Sequence, residues 1–412
     1  MRIDPAAATH ALQASPQSPD ACVDAVWTGS FISLLLVNLL LCFGFYMLPP
    51  TLPAYVIQIG GTPFQASLVI GTFSVMSLLA RVISGTVVDA VGERTVILTG
   101  IVLIAATTLG FIWTPVNGIL LLRGLQGIGW GLSTAAIATA VYKVVPESRR
   151  GEGSGYYALT TIAAASLTPL LAIVLKNAYD IVLVLSVSVT LTLAATALLK
   201  SGLATLPRVS AEPRRPVAIT LKSIFEPGAL LPSVLCFLVS MPLCGIVSYL
   251  VLFGAERHLE RVWIFFIGYA LMILATRPFI GRLFDRRGHA VIILPGSVAM
   301  LLGLVALSLT DSTALLVVSS LLFGLGYGAV HPSLHAWAVN RCPVDRKAAA
   351  NGLFLSAIDL GYIVGAIALG FIAELTSFAV MYRCSALAIV ALIVVYLFEL
   401  SRSAGPRGKA PA

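Results

Sequence analysis

The chain has 412 residues, of which 58% are hydrophobic and only 11% charged, and its mean hydropathy is +0.97. Soluble domains carry about 25% charged residues, so too few charges are present to cover a water-soluble fold, and disordered, collagen-like and coiled-coil readings fail on the same numbers. The net charge of +8 does not mark a nucleic-acid partner, because the basic residues recur in short loops between apolar runs, where they carry topological information.

Residues 1–26 are polar and lack the basic start and short apolar core of a cleavable signal, so they read as a disordered cytoplasmic leader. From Trp27 the chain alternates between apolar runs and short polar loops. Twelve runs lie at about 28–48, 64–88, 95–113, 118–144, 154–175, 181–200, 229–253, 262–284, 290–309, 313–339, 352–373 and 378–399. Each is near or above the ~20 residues that a spanning helix needs. One long polar stretch interrupts them: residues 201–228 hold Pro207, Pro213, Pro216 and Pro227 among Arg208, Arg214, Arg215 and Lys222. This predicts a cytoplasmic linker between a six-helix bundle over 27–200 and another over 229–400, with a cytoplasmic tail at 401–412. With the N-terminus inside, 19 of the 26 basic residues fall in cytoplasmic segments and four outside, which places both termini in the cytoplasm. Cys22, Cys42, Cys236, Cys244, Cys342 and Cys384 show no paired spacing, so neither a disulfide framework nor a metal finger is expected.

The two halves repeat. Arg81, Gly85, Asp89 and Gly92 recur at a shift of 196 as Arg277, Gly281, Asp285 and Gly288. Gly127, Gly129, Gly131, Pro146, Arg149 and Gly155 recur at a shift of 197 as Gly324, Gly326, Gly328, Pro343, Arg346 and Gly352. The fold class is therefore all-α and integral to the membrane, with twelve transmembrane helices in two pseudo-symmetric bundles. Parallel halves around a central site are a secondary-transporter architecture. The glycine triplets permit close helix contact.

At these residues the sequence resembles the major facilitator superfamily over about residues 27–400. Gly85-Thr-Val-Val-Asp89-Ala-Val-Gly92-Glu93-Arg94 is similar to the family's G-x-x-x-D-R-x-G-R-R loop, with Ala90 and Glu93 where basic residues are usual. Gly281-Arg-Leu-Phe-Asp285-Arg286-Arg287-Gly288 is closer to the pattern. Arg123-Gly-Leu-Gln126-Gly127-Ile-Gly129 resembles the R-x-x-Q-G-x-G motif of proton-coupled members, and Pro50-Thr-Leu-Pro53-x-Tyr55 resembles the drug and metabolite exporter branch. The fifth-helix exporter signature appears only as Ala163-Ala-Ala-Ser-Leu-Thr168-Pro169-Leu-Leu-Ala172, without two of its glycines. Arg149-Arg150-Gly151-Glu152-Gly153-x-Gly155-Tyr156-Tyr157 resembles a subgroup that includes exporters of siderophores and opine-type metallophores.

The resemblance implies that Asp89 and Asp285 act as conformational latches, with Gly85, Gly92, Arg94, Arg149, Gly281, Arg286, Gly288 and Arg346 around them. Each carboxylate would cap a helix N-terminus and pair with a loop arginine; Arg81 and Arg277 read as interface or latch support. Arg123 lies within a span, where a guanidinium is costly, and so faces either a polar cavity or the outer interface. Asp359 is the acid clearly inside a span, about 12 Å from the start of the eleventh helix; desolvation favours its protonated form, making it the leading proton carrier. The alternative is a structural pairing with an arginine or hydroxyl. His331 and His335 share a helix face and can shuttle protons, bind an anionic substrate or serve packing; no third metal ligand is evident. Asn38, Gln126, Tyr156, Tyr157, Tyr249 and Tyr269 can line a substrate cavity or simply pack. No phosphate loop, nucleophile constellation or cofactor fingerprint is present. The expected function is a secondary active exporter of a small organic molecule in the plasma or bacterial inner membrane, exchanging it for protons by alternating access as a monomer in the lipid bilayer. An importer or facilitator of the same fold, and a receptor or enzyme without transport, are the alternatives.

Overall fold

In a computed structural model of the chain, residues 26–146, 149–202, 226–259, 261–343 and 346–404 are described. The predicted leader to residue 25 and most of the predicted linker lie outside them, as do residues 405–412 of the tail. Among the described residues the helices are α1 (Gly29–Tyr46), α2 (Leu48–Gln58), α3 (Pro63–Val91), α4 (Glu93–Gly110), α5 (Val116–Val144), α6 (Arg150–Ala178), α7 (Ile181–Gly202), α8 (Pro227–Glu256), α9 (Trp263–Arg287), α10 (Ala290–Ser308), α11 (Thr313–Asn340), α12 (Lys347–Leu375) and α13 (Phe378–Ala404). They make twelve crossings, because α1 and α2 are two parts of the first. Pro49 and Pro50 remove two backbone donors at the break, and the Thr51 hydroxyl donates to the Met47 carbonyl at 2.7 Å.

Among the described residues, ten of the crossings are long and apolar enough to span a membrane. The other two are α5, diluted by Arg123, Gln126 and its glycines, and α9, which carries Arg277, Arg282, Asp285, Arg286 and Arg287 in its second half. Large apolar side chains such as Leu121, Phe279 and Leu387 stay exposed around the bundles, the surface that lipid covers.

Within the first bundle α5 packs between α3 and α4, and α1 against α6 and α7. The repeated glycines make this possible. A Cβ at Gly127 or Gly131 would strike the backbone carbonyls of Phe73 or Ser77 on α3, and one at Gly129 would lie 2.8 Å from the Gly100 carbonyl oxygen of α4. In the second bundle Gly324 and Gly328 meet α9 and Gly326 meets α10 in the same alternation. The signature loops also repeat: Gly92 and Gly288 end α3 and α9 at φ +83° and +74°, where a side chain would be strained.

The bundles meet along two seams, α3 with α12 and α6 with α9, and also where α2 meets α8. Call the end carrying Asp89, Arg149, Arg286 and Arg346 the basic end. At the opposite end the seams are closed. Ile70, Cys244 and Ala366 form one buried cluster across the bundles. Ile173 of α6 joins the core of the second bundle, and the Glu374 carboxylate accepts the Phe64 amide of α3 at 2.8 Å. At the basic end they part. Gly85 on α3, Gly155 on α6, Gly281 on α9 and Gly352 on α12 each have open space where a Cβ would stand.

Candidate functional site

Three charged side chains and one histidine lie at one depth. Arg81 and Arg277 each stand ten residues before the basic end of their helix, His331 nine before its own, and Asp359 twelve after the start of α12. At 1.5 Å per residue this is a layer roughly 14–18 Å from the basic end. Across the α3–α12 seam the Arg81 guanidinium pairs with the Asp359 carboxylate (Nη2 to Oδ2, 3.4 Å), both groups being mostly but not wholly enclosed. The alignment is too poor for a hydrogen bond, and the Arg81 Nε and Asp359 Oδ2 have no hydrogen-bond partner. The pair is therefore held by charge and by its position between the bundles, with no donor fixing its geometry.

Aromatic rings surround this layer. On α11, Phe323, Tyr327 and His331 form a column at a spacing of four residues, the Tyr327 and His331 rings stacked at 5.1 Å. Tyr269 of α9 stands against Phe323 and Tyr327. From the first bundle, Tyr46 is in electrostatic reach of Tyr157, Tyr327 and Arg81, which places it between the halves. Arg277 is in reach of Tyr269, Tyr327 and His331, and its Nε has no hydrogen-bond partner.

Arg123 is elsewhere. It is wholly buried inside the first bundle, donating to the Val69 carbonyl at 3.0 Å and to the Gln126 amide oxygen, whose nitrogen in turn donates to Thr108 Oγ1 at 2.7 Å. Its guanidinium lies over the Phe73 ring at 4.6 Å, and Phe73 and Phe45 stack with each other and Phe45 with Trp130. Carbonyl, amide and ring faces thus stand in for a carboxylate.

The remaining predicted residues are spread more widely. Asn38 is fully buried and donates to Thr160 and Thr161 at 2.8 and 2.9 Å, tying α1 to α6. Tyr249 is fully buried at the closed end, beside Phe378. Tyr156 lies tilted against Trp27, ring centroids 4.6 Å apart, near the basic end, and Tyr157 points to the Thr134 carbonyl. His335 bonds the Asn351 amide oxygen of α12 at 2.7 Å and lies against the Phe354 ring, whereas His331 meets both Phe354 and Tyr327. Among the described residues no three His, Cys, Asp or Glu side chains converge as a metal site.

At the basic end Asp89 and Arg94 are exposed, and among the described residues Asp89 makes no hydrogen bond or ion pair; the Asp285 side chain lies outside the description. Arg149 pairs with Glu152 at 2.8 Å and Arg346 with Glu226 at 2.8 Å. Glu226 also accepts the Gly228 amide at the start of α8, and the Arg346 hydrogen bond holds its carboxyl below the usual carboxylate range. Glu93, one of the two departures from the family loop, is buried in the first turn of α4 and pairs with Lys143 in the last turn of α5. An acid at one helix start and a base at another's end both oppose the local dipole charge.

Two bundles related by a repeat, parted at one end around a charged layer, are the frame of a transporter, and the comparisons assign it. The family model described as Major Facilitator Superfamily matches residues 34–310 and 262–412. The chain belongs to the major facilitator superfamily. It is 26% identical to an uncharacterised MFS-type transporter of Methanocaldococcus jannaschii, covering 91% of this chain and 97% of that one. It is 23% identical to the staphylopine export protein of Staphylococcus aureus, over 89% of this chain and 95% of that one. A third of the chain (33%) matches multidrug resistance protein 2 of Bacillus subtilis at 28% identity, over 34% of that protein. Among solved structures, a mutant of the nucleoside transporter NupG shares the fold at a TM-score of 0.72 and 14% identity, over 90% of this chain and 99% of that one. A mutant of the peptide transporter POT does so at 0.70 and 15%, over 89% and 94%. Membership makes the chain a multi-pass membrane transporter. Sequence reasoning passed over Tyr46 and Tyr327, although the four-residue spacing of Phe323, Tyr327 and His331 was visible, and it gave Arg81 and Arg277 only a supporting part.

Proposed function

We propose that this protein exports a small organic molecule across the plasma or bacterial inner membrane by alternating access, in exchange for protons carried on Asp359. The observation that carries the reading is the Arg81–Asp359 pair, an ion pair that joins the bundles inside the α3–α12 seam. When Asp359 is ionised the pair holds α3 against α12. When it is protonated the attraction is lost, and a proton has entered the site. A carrier whose proton affinity changes as the seam opens and closes couples the proton gradient to the movement of the bundles.

Export is supported by one full-length relative named for export and one partial relative named for drug resistance. The basic end is assigned to the cytoplasm by the positive-inside rule, so the shape described here is open inward, ready to load substrate. Asp89 is then a latch that engages only after the basic end closes, in keeping with its lack of a partner among the described residues in this shape. Everted membrane vesicles test the direction. A solute first identified by comparing cells and medium with and without the gene should accumulate in vesicles whose lumen is acidified, and should not in vesicles lacking the protein. Accumulation only when the acid is outside the everted vesicle would reverse the assignment.

A further inference from the structure

The repeat makes a specific demand that one seam meets and the other does not. Arg81 of α3 corresponds to Arg277 of α9 at a shift of 196, and Gly155 of α6 corresponds to Gly352 of α12 at 197. By the same shift the counterpart of Asp359 is Ile162. Ile162 packs against the core cluster of the second bundle, so it occupies, on the α6–α9 seam, the place that Asp359 holds on the α3–α12 seam. Arg81 therefore has a counter-ion across its seam, whereas on the seam of Arg277 the position that the repeat relates to Asp359 is an isoleucine.

Arg277 is deep in its helix, partly exposed, with a buried Nε that has no acceptor. Among the described residues the charge around it is otherwise positive or neutral: Arg81 is matched by Asp359, Arg123 is enclosed without a carboxylate, and the neighbours from α9 and α11 are Tyr269, Tyr327 and His331. An uncompensated guanidinium away from bulk water creates a strong local attraction for an anion. Its planar fork suits a carboxylate, and the ring column of Phe323, Tyr327 and His331 offers a face for an apolar or flat group beside it.

Resting on the transport reading above, we infer that the substrate is an organic anion whose carboxylate binds Arg277, taking the place across the seam that Asp359 takes opposite Arg81. The substrate supplies the missing counter-ion. On this account Ile162→Asp supplies it from the protein itself and competes with the substrate, while Ile162→Asn, similar in size and uncharged, does not.

Two measurements on the purified full chain test the inference, and neither depends on transport direction or proton coupling. In the first, Gly281→Cys, one turn from Arg277 on the same face and with open space for a side chain, is labelled with an anionic and a cationic methanethiosulfonate. Rates are normalised to a free thiol and corrected for the parent protein. The anionic reagent should be favoured by about tenfold, and Arg277→Gln or Ile162→Asp should remove most of that preference while Ile162→Asn keeps it. In the second, thermal stabilisation is compared for benzoylglycine, citrate and glutamate against their methyl esters and tetraphenylphosphonium. At least one acid should stabilise the protein where its ester does not, and Ile162→Asp should erase the difference. Equal labelling by the two reagents, a preference that survives Arg277→Gln, or no acid distinguished from its ester each overturns the inference.

Discussion

Arg123 and Asp359 are both charged groups inside a span, yet their surroundings give them different work. Arg123 is closed in by Val69, Gln126 and two phenylalanine rings of its own bundle; no group of the second bundle touches it among the contacts described. Removing the guanidinium would leave the Gln126 amide oxygen and the Val69 carbonyl without their buried donor. Arg123→Leu is therefore expected to cost about 1–3 kcal/mol, read as a lower melting temperature of the purified protein. An unchanged melting temperature with lost transport would instead give Arg123 a direct part in substrate or proton handling. Asp359 was legible as a lone acid in an apolar run. Its partner was not, because apolar helices in lipid carry hydrophobic residues on every face and the sequence does not say which face meets the other bundle. The same blindness hid Tyr46 and Tyr327, since a ring facing lipid and a ring facing a cavity look identical in a string of leucines.

At the scale of single helices, the packing and the caps separate. Gly129 meets the Gly100 carbonyl so closely that Gly129→Ala forces α4 and α5 apart. Overpacking of this kind costs about 1–3 kcal/mol, and Gly326→Ala should behave alike in the second bundle. Gly155→Ala, with open space around it, should leave the melting temperature of this state unchanged. The contrast was partly visible beforehand: the repeat marked all of these glycines, but only the packing tells which are filled contacts and which are open. The cap at the start of α8 has its own pH signature. The Glu226 carboxyl is held low by Arg346, so its contribution to stability is complete above the ordinary carboxylate pKa of about 4.3. It is lost as the pH falls through the lowered folded-state value. Glu226→Gln should lower stability at neutral pH and flatten its decline on acidification; parallel curves for the two proteins would show that the pair adds nothing.

For the whole molecule, the account is one of two seams that are zipped at one end and open at the other. Gly85 lies four residues beyond Arg81, and Gly352 seven before Asp359, so each shares a face with a member of the ion pair. They stand at the basic end of the same seam, about 8 Å from the helix termini, and are the unzipped continuation of a contact that is already made at Ser67 and Gly370. A Gly85→Cys, Gly352→Cys protein should form a crosslink only when the basic end closes. Ser67→Cys with Gly370→Cys should crosslink in the shape described here. Crosslinking of both pairs to the same extent under one condition would contradict rigid alternation. Twelve crossings, the repeat and the basic end could all be read from composition and loop charge, because lipid imposes length and topology on every span. The first apolar run read from the sequence ends at about residue 48, just before Pro49 and Pro50, so the continuation of that crossing through α2 to Gln58 was missed, and the asymmetry between Asp359 and Ile162 emerges only when the seams give the repeat a geometry.

The measurement that bears most directly on proton-coupled exchange uses the Asp359→Asn protein in proteoliposomes, with the solute identified by the cell-and-medium comparison. Two assays are run side by side: accumulation driven only by an imposed pH gradient, and exchange of labelled for unlabelled solute with no gradient. Without a titrating carboxyl the gradient has nothing to act on, whereas exchange needs only the binding site and the rocking of the bundles. The account predicts that accumulation falls to the level of empty liposomes while exchange persists. Accumulation at the wild-type rate under the pH gradient alone would contradict it and remove Asp359 as the proton carrier.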